Sequence, residues 1–114
     1  MNGENQPADK PPVERRRFQR YKAAVPVEFL PEGTTVVSRT QTSEISVGGC
    51  YIEMYYALAA QTKLRLTLWV EDQKVTTDAL VATHDLGFGN GIQFLNILPE
   101  DQARLKKYLD TLEQ

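Results

Sequence analysis

Apolar and polar residues alternate along most of the chain between positions 21 and 96, which is the pattern of short, half-buried β-strands. Turn residues separate the runs and divide this region into about six predicted strands. The clearest apolar faces are, in chain order, Ala23/Val25/Val27/Phe29, Cys50/Ile52/Met54 and Leu64/Leu66/Leu68/Val70.

The segment from Thr34 to Ile45 is rich in threonine and valine and predicts the second strand. It ends at a Ser-Val-Gly-Gly turn, where Gly48 and Gly49 tolerate a positive φ. A polar connection over residues 71–74 predicts a hairpin into a strand at 75–84. A glycine-rich turn at 87–91 then leads into the last strand.

A helix is predicted from Pro99 to residue 113, because proline suits the first helical position and acidic residues follow it. Its apolar stripe must be covered by the sheet. The predicted fold is therefore mostly β, a small six-stranded antiparallel β-barrel with one C-terminal α-helix and a disordered N-terminal arm. The predicted divisions are a disordered tail at 1–13 and a domain at 14–114, with a basic arm at 14–22, the barrel at 23–96 and the helix at 99–113.

Length and composition exclude several classes of protein. A chain of 114 residues fits one domain, and its apolar runs are too short for a membrane-spanning helix or a signal core. We therefore expect a cytoplasmic protein without direct membrane insertion. The lone Cys50 and the lone His84 offer neither a disulfide nor a zinc site, and no nucleophile, base and orienting group are recognisable, so an enzyme is not expected.

Charge is divided unevenly along the chain. Residues 1–22 carry six cations and three anions, whereas the remaining 92 residues balance at −5. Five of the six cations lie between Arg15 and Lys22. A basic arm thus precedes an acidic body, which indicates an anionic ligand or an arm that docks on its own domain.

Two motifs make a family resemblance specific. Arg16 and Arg20 match an RxxxR pattern in the arm, and Ser46 and Gly49 match the end of D/N-x-S-x-x-G after the predicted second strand. Together with Gly89-Asn90-Gly91-Ile92-Gln93-Phe94 before the terminal helix, they resemble the PilZ domain over roughly residues 14–112. PilZ domains are six-stranded antiparallel barrels with a C-terminal helix, in agreement with the elements predicted above.

The resemblance implies a bacterial receptor for the second messenger cyclic di-GMP, with no other cofactor and no metal. Guanidinium groups suit this ligand because they form bidentate bonds with phosphate, meet the acceptors of guanine and stack on base planes. By analogy with the family, the ligand-binding residues would be Arg15, Arg16, Arg17, Arg20, Glu44, Ser46, Gly48 and Gly49. Arg16 and Arg20 would clamp the nucleotide, with Arg15 and Arg17 as supporting cations.

One position departs from the motif. Residue 44 is glutamate, where the family has aspartate or asparagine, so the carboxylate reaches one methylene further. Contact with a guanine N–H is then kept, shifted or lost. Glu44 has an alternative role, in which it pairs with an arginine of the arm in the unliganded protein.

The predicted mechanism is a single-domain adaptor: the arginine arm orders over the bound nucleotide and changes a surface presented to an unidentified protein partner. A first alternative is a PilZ-like interaction module that does not bind cyclic di-GMP. A second is a nucleic-acid-binding barrel that uses the basic arm and stacks bases on Tyr51, Tyr55, Tyr56 and Trp69. The acidic body argues against a nucleic acid polymer.

Overall fold

The computed structural model describes residues 18–113, which form one antiparallel sheet followed by a helix. Arg15, Arg16 and Arg17 and the predicted tail lie outside this range. The strands are β1 (Tyr21–Lys22), β2 (Pro26–Pro31), β3 (Ser38–Gln41), β4 (Glu44–Ile45), β5 (Gly49–Glu53), β6 (Lys63–Val70), β7 (Gln73–Asp85) and β8 (Gly89–Leu95), and the helix is α1 (Pro99–Thr111).

Across residues 18–113 the sheet has eight strands in the order β1-β4-β5-β8-β7-β6-β2-β3. It is a curled half-barrel, so the predicted closed barrel of six strands is wrong. The mostly β class and the C-terminal helix are confirmed. The strand count differs for two reasons. β1 forms inside the predicted basic arm and is separated from β2 at residues 23–25, and the predicted second strand is divided into β3 and β4 at residues 42–43.

Thr42 explains why the break between β1 and β2 lies opposite the break between β3 and β4. Its buried hydroxyl accepts a hydrogen bond from the Val25 N–H at 3.0 Å and donates one to the Ala23 carbonyl at 2.7 Å. A side chain thereby satisfies backbone groups that a regular ladder would pair with backbone. The register shifts by one residue across the break, from Lys22 opposite Glu44 to Pro26 opposite Gln41.

The predicted second strand also begins too early. Residues 34–37 form a loop, because Gly33 adopts φ +85° and both the N–H and the hydroxyl of Thr34 donate to the Pro31 carbonyl. Val36 is left 73% exposed in this loop. The threonine and valine content that favoured a strand here is overruled by this local turn.

The core lies on the concave face of the sheet and follows the predicted alternation. The buried residues include Val25, just before β2, and the strand residues Val27, Phe29, Cys50, Ile52, Leu64, Leu66, Leu68 and Val70. Helix α1 packs against β7 and β6 with Leu105 and Leu109 buried, while Tyr108 and Leu112 are partly buried. Within the described range, no helix is long and apolar enough to cross a membrane.

The end of α1 is tied back to the start of the sheet. The helix ends at Thr111, two residues before the predicted end, and the Leu112 N–H donates to the Leu109 carbonyl. The Tyr21 hydroxyl donates to the Glu113 carboxylate at 2.7 Å. This bond and the neighbouring negative charges raise the pKa of Tyr21 to about 12. The bond links β1, which follows Arg20, to the segment after the helix.

Candidate functional site: the Ser46 turn

The Ser46 turn, residues 45–49, joins β4 to β5 and is closed by its own serine. The Ser46 N–H donates to the Gly49 carbonyl at 2.8 Å. Its hydroxyl accepts from the N–H groups of Gly48 and Gly49 at 3.1 and 3.2 Å. Ser46 is 8% exposed, so in the unliganded chain its oxygen holds the turn together rather than facing solvent.

Gly49 is required for a reason other than the predicted one. Neither Gly48 nor Gly49 is among the glycines with positive φ. A Cβ on Gly49 would instead overlap the carbonyl oxygen of Ile92 on β8. The absence of a side chain lets β5 approach β8, and the Phe94 N–H donates to the Gly48 carbonyl at 2.9 Å across the same contact.

Phe18 packs the C-terminal part of the basic arm against this turn. A Cβ on Gly48 would lie 2.6 Å from the Phe18 ring, so the ring lies directly over the glycine backbone. Phe18 is two residues before Arg20 and is 41% exposed. No role was predicted for Phe18 from the sequence, although an aromatic residue inside a run of arginines is a signal that could have indicated one.

Arg20 and Glu44 form an ion pair beside the turn. The guanidinium Nη1 lies 3.7 Å from the carboxylate Oε1, and the two side chains are 46% and 38% exposed. An exposed pair at this separation contributes at most about 1 kcal/mol to stability. Glu44 thus makes the contact of its alternative role, a pair with an arginine of the arm, and this contact holds Arg20 only weakly.

The described residues of the predicted site come together at one place. Arg20, Glu44, Ser46, Gly48 and Gly49 all lie around the β4–β5 hairpin and the segment that enters β1. Arg15, Arg16 and Arg17 lie outside the described residues, so their positions in the site stay predictions. The antiparallel pairing of β1 with β4 brings the described site residues together. The spacing of the two motifs along the sequence does not specify this pairing.

Tyr51 marks the edge of the site on β5. It lies directly opposite Glu44 in the β4–β5 pair, and its hydroxyl donates to Asp85 at 2.7 Å. Partial burial and this hydrogen bond raise the pKa of Tyr51 to about 12. The hydrogen bond holds the Tyr51 side chain toward Asp85.

Cysteine and histidine commonly take part in catalysis or metal binding, but Cys50 and His84 are each engaged in the fold. Cys50 is buried, and desolvation raises the pKa of its thiol to about 12. His84 Nδ1 lies 2.7 Å from the Leu58 carbonyl oxygen. Over residues 18–113, no group of three or more histidine, cysteine, aspartate or glutamate residues is arranged to hold a metal ion.

The chain belongs to the PilZ domain family, whose family model matches residues 14–111. Its fold is similar to the PilZ domain of YcgR from Escherichia coli, solved with c-di-GMP, at a TM-score of 0.70 and 16% identity, covering 87% of this chain and 92% of that one. It is also similar to the PilZ domain of CeSA from a cellulose-synthesizing bacterium, at a TM-score of 0.64 and 18% identity, covering 84% and 99%. No curated protein sequence matches the chain significantly.

A further similar structure belongs to a longer protein. The MrkH–c-di-GMP complex of K. pneumonia has a TM-score of 0.69 and 20% identity, covering 87% of this chain but 52% of that one. The present chain thus spans about half of that protein's length. At these identities the structural comparisons establish the fold, while family membership rests on the model match.

Proposed function

We propose that this chain is a binding protein and not an enzyme, and that its ligand is cyclic di-GMP, held between the arginine arm and the Ser46 turn. The observation that carries the proposal is the position of Arg20. Its guanidinium lies beside the Ser46 turn, at the residue where the RxxxR motif meets the second motif.

The state of Arg20 is suited to capturing a phosphate. At 3.7 Å from Glu44 it forms a long, exposed ion pair, which is weaker than a bidentate, charge-assisted bond to a phosphate. A dianionic ligand would therefore compete favourably for the guanidinium. Two structures of similar fold, the PilZ domain of YcgR and MrkH, were solved with c-di-GMP, which supports this class of ligand.

The turn supplies rigidity to the other side of the proposed site. Ser46, Gly48 and Gly49 are fixed by hydrogen bonds within the turn and by the approach of β8. A preformed turn loses little conformational entropy when a ligand binds. Placing the arginine arm over the nucleotide would then be the main conformational cost, and the change in surface would reach a protein partner in the cytoplasm.

Calorimetry of cyclic di-GMP with the full chain tests binding, with GMP as a ligand control. Arg20→Ala and Arg16→Ala should each weaken binding at least about tenfold, because each removes charged hydrogen bonds to phosphate or guanine. Arg65→Ala is the matched control, since Arg65 is another exposed arginine in an ion pair, 2.7 Å from Asp78 on β7. Its affinity should stay within about twofold of the wild type.

Two results would reject this proposal. One is a folded wild-type chain that shows no saturable binding, and the other is equal weakening by Arg65→Ala and Arg20→Ala. Limited proteolysis tests the arm separately: bound nucleotide should protect the peptide bonds after Arg15, Arg16, Arg17 and Arg20. Unchanged cleavage at saturation would reject ordering of the arm while leaving binding intact.

The second candidate is a PilZ domain that binds only protein. Glu44 favours it, because the residue differs from the motif and occupies Arg20 with an ion pair. Absence of nucleotide binding together with an intact fold would make this function the leading one.

A further inference from the structure

A second surface lies at the other end of β5 and exposes large apolar side chains. Tyr55, Tyr56, Leu86 and Phe88 are 77%, 82%, 77% and 73% exposed. Tyr55 and Tyr56 belong to the loop after β5, and Leu86 and Phe88 belong to the β7–β8 turn. We call these four residues, with the neighbouring Glu53 and Asp85, the aromatic surface. Contiguous exposed apolar residues of this size are uncommon on a soluble protein unless they bind something.

The two loops of the aromatic surface are bonded to each other. The Met54 N–H donates to the Phe88 carbonyl at 2.9 Å, and the rings of Tyr55 and Tyr56 pack edge to face with centroids 4.9 Å apart. Such contacts hold the aromatic side chains in a common position. The exposed residues are therefore displayed by a fixed framework.

Asn90 provides the deeper anchor of that framework. It is fully buried, accepts from the Leu58 N–H at 2.7 Å and donates to the carbonyls of Leu58 and Thr83 at 2.8 and 3.1 Å. One side chain on β8 thus holds the loop that carries Tyr55 and Tyr56. A buried polar group with this many partners specifies one loop conformation.

An open depression of about 720 Å³ lies within the aromatic surface. Its described lining consists of Tyr51, Glu53, Met54, Tyr55, Asp85, Gly87 and Phe88. That set contains two carboxylates, three aromatic rings and no lysine or arginine. Apolar walls with negative charge favour a cationic side chain that also has apolar neighbours, since the rings attract cations and the carboxylates neutralise them.

We infer that the aromatic surface is a docking site for a protein segment that presents lysine or arginine among apolar side chains. The two carboxylates would repel a nucleotide phosphate, a nucleic acid backbone or an anionic lipid surface, so charge selects a cationic protein segment. The inference names a surface for the adaptor role in the proposed function. It does not depend on nucleotide binding.

The test uses the isotope-labelled full chain without cyclic di-GMP, followed by nuclear magnetic resonance. The probe is a short synthetic peptide of alternating arginine and leucine. Two companion peptides carry glutamate for arginine or serine for leucine. We expect the arginine–leucine peptide to shift the amide signals of Glu53, Tyr55, Asp85 and Phe88, and to bind at least about tenfold more tightly than either companion.

Matched variants separate this surface from general attraction to an acidic protein. Phe88→Ala should weaken binding of the arginine–leucine peptide about five- to tenfold. Val36 is equally exposed, at 73%, but lies on the β2–β3 loop, so Val36→Ala should leave the affinity for this peptide within about twofold of the wild type. Glu53→Gln should weaken binding about threefold, and Glu32→Gln in an exposed turn should not. None of these positions lies in the core.

Three outcomes would overturn the inference. They are no binding of the arginine–leucine peptide, signal shifts confined to other surfaces, and equal binding of the serine or glutamate companion. Binding to anionic lipid vesicles that Phe88→Ala abolishes would also overturn it in favour of a membrane. Because no nucleotide is present, failure here leaves the calorimetric test of the proposed function untouched.

Discussion

The Ser46 turn and the aromatic surface lie at opposite ends of β5, since the turn ends at Gly49, the first residue of the strand, and the surface includes Glu53, its last residue. The first consists mainly of backbone, held by the buried Ser46 hydroxyl. Because Gly48 and Gly49 have no side chains, the backbone of this turn lies close to Phe18 and to β8. The second is built from large side chains that two loops expose to solvent. Tyr51 lies between them, opposite Glu44 and bonded to Asp85.

If the proposed function and the further inference both hold, one strand would support two kinds of recognition. A compact turn without side chains suits a small ligand that needs close approach to backbone and a few precise polar contacts. A wide apolar surface with carboxylates suits a macromolecular partner, whose affinity comes from a few aromatic contacts. The substitutions below should damage one of the two regions or both, and the measurements report which.

Gly49→Ala should have the largest effect. Its Cβ would overlap the Ile92 carbonyl oxygen, which is backbone and cannot move without separating β5 from β8. We expect a loss of at least about 3 kcal/mol in the free energy of unfolding by urea. Both regions should be damaged together, because both depend on the β5–β8 pair.

Gly33→Ala is the control for that substitution. Gly33 has no heavy atom within 4 Å of its would-be Cβ but adopts φ +85°, so the cost should be about 1 kcal/mol from backbone conformation alone. An equal or smaller loss for Gly49→Ala would contradict the role given to the close approach.

Asn90→Ala should damage the aromatic surface selectively. It removes three hydrogen bonds and leaves the Leu58 N–H and carbonyl without that partner, which should cost about 2–3 kcal/mol. Hydrogen exchange of the Leu58 amide should accelerate more than that of Gly49. Gln93→Ala, exposed on the same strand, should cost less than about 0.5 kcal/mol. Equal acceleration at both amides would mean that Asn90 stabilises the whole sheet and not the loop.

Glu44→Asp should change nucleotide affinity modestly, given the proposed function. The shorter carboxylate restores the motif residue and lengthens the contact with Arg20, now 3.7 Å. Because an exposed ion pair contributes at most about 1 kcal/mol, affinity should be unchanged or up to about fivefold tighter by calorimetry. Markedly weaker binding would show that the longer glutamate is itself needed in the site. Peptide binding to the aromatic surface should not change.

The smallest effects concern two tyrosine–carboxylate bonds, Tyr21 with Glu113 near the arm and Tyr51 with Asp85 near the aromatic surface. Both pKa values are raised from 10.0 to about 12, so the folded chain binds more protons than the unfolded chain in that window. Their contribution to stability is present below pH 10 and is lost as the pH rises from 10 to 12. Urea midpoints measured across this range should therefore fall with pH.

Phenylalanine substitutions distinguish the contributions of the two hydrogen bonds to this pH dependence. Tyr51→Phe and Tyr21→Phe should each lessen the fall, and Tyr51→Phe should cost less than about 1 kcal/mol at neutral pH. The double variant should retain a residual slope, because burial also raises the pKa of Tyr108. A slope in the double variant equal to that of the wild type would contradict the assignment.

Much of the fold and part of the candidate site followed from local sequence. Alternation placed Leu64, Leu66 and Leu68 in the core, since a period of two puts every second side chain on the same face of a strand. Pro99 marked the start of the helix because its missing N–H costs nothing there. The spacing of Ser46 and Gly49 marked a turn that the structure contains.

Other features depended on contacts between residues distant in the chain. The Thr42 hydroxyl splits two strands by bonding residues 17 and 19 positions away, and periodicity carries no record of such a bond. Gly49 is needed because of Ile92, and Asn90 holds a loop 32 residues earlier. The sequence by itself therefore determined which side chains face inward and where turns and the helix begin, because those depend on neighbours along the chain. Only the tertiary structure decided how strands divide, which glycine contacts which backbone and which aromatic residues gather on one surface, because those depend on the register between strands.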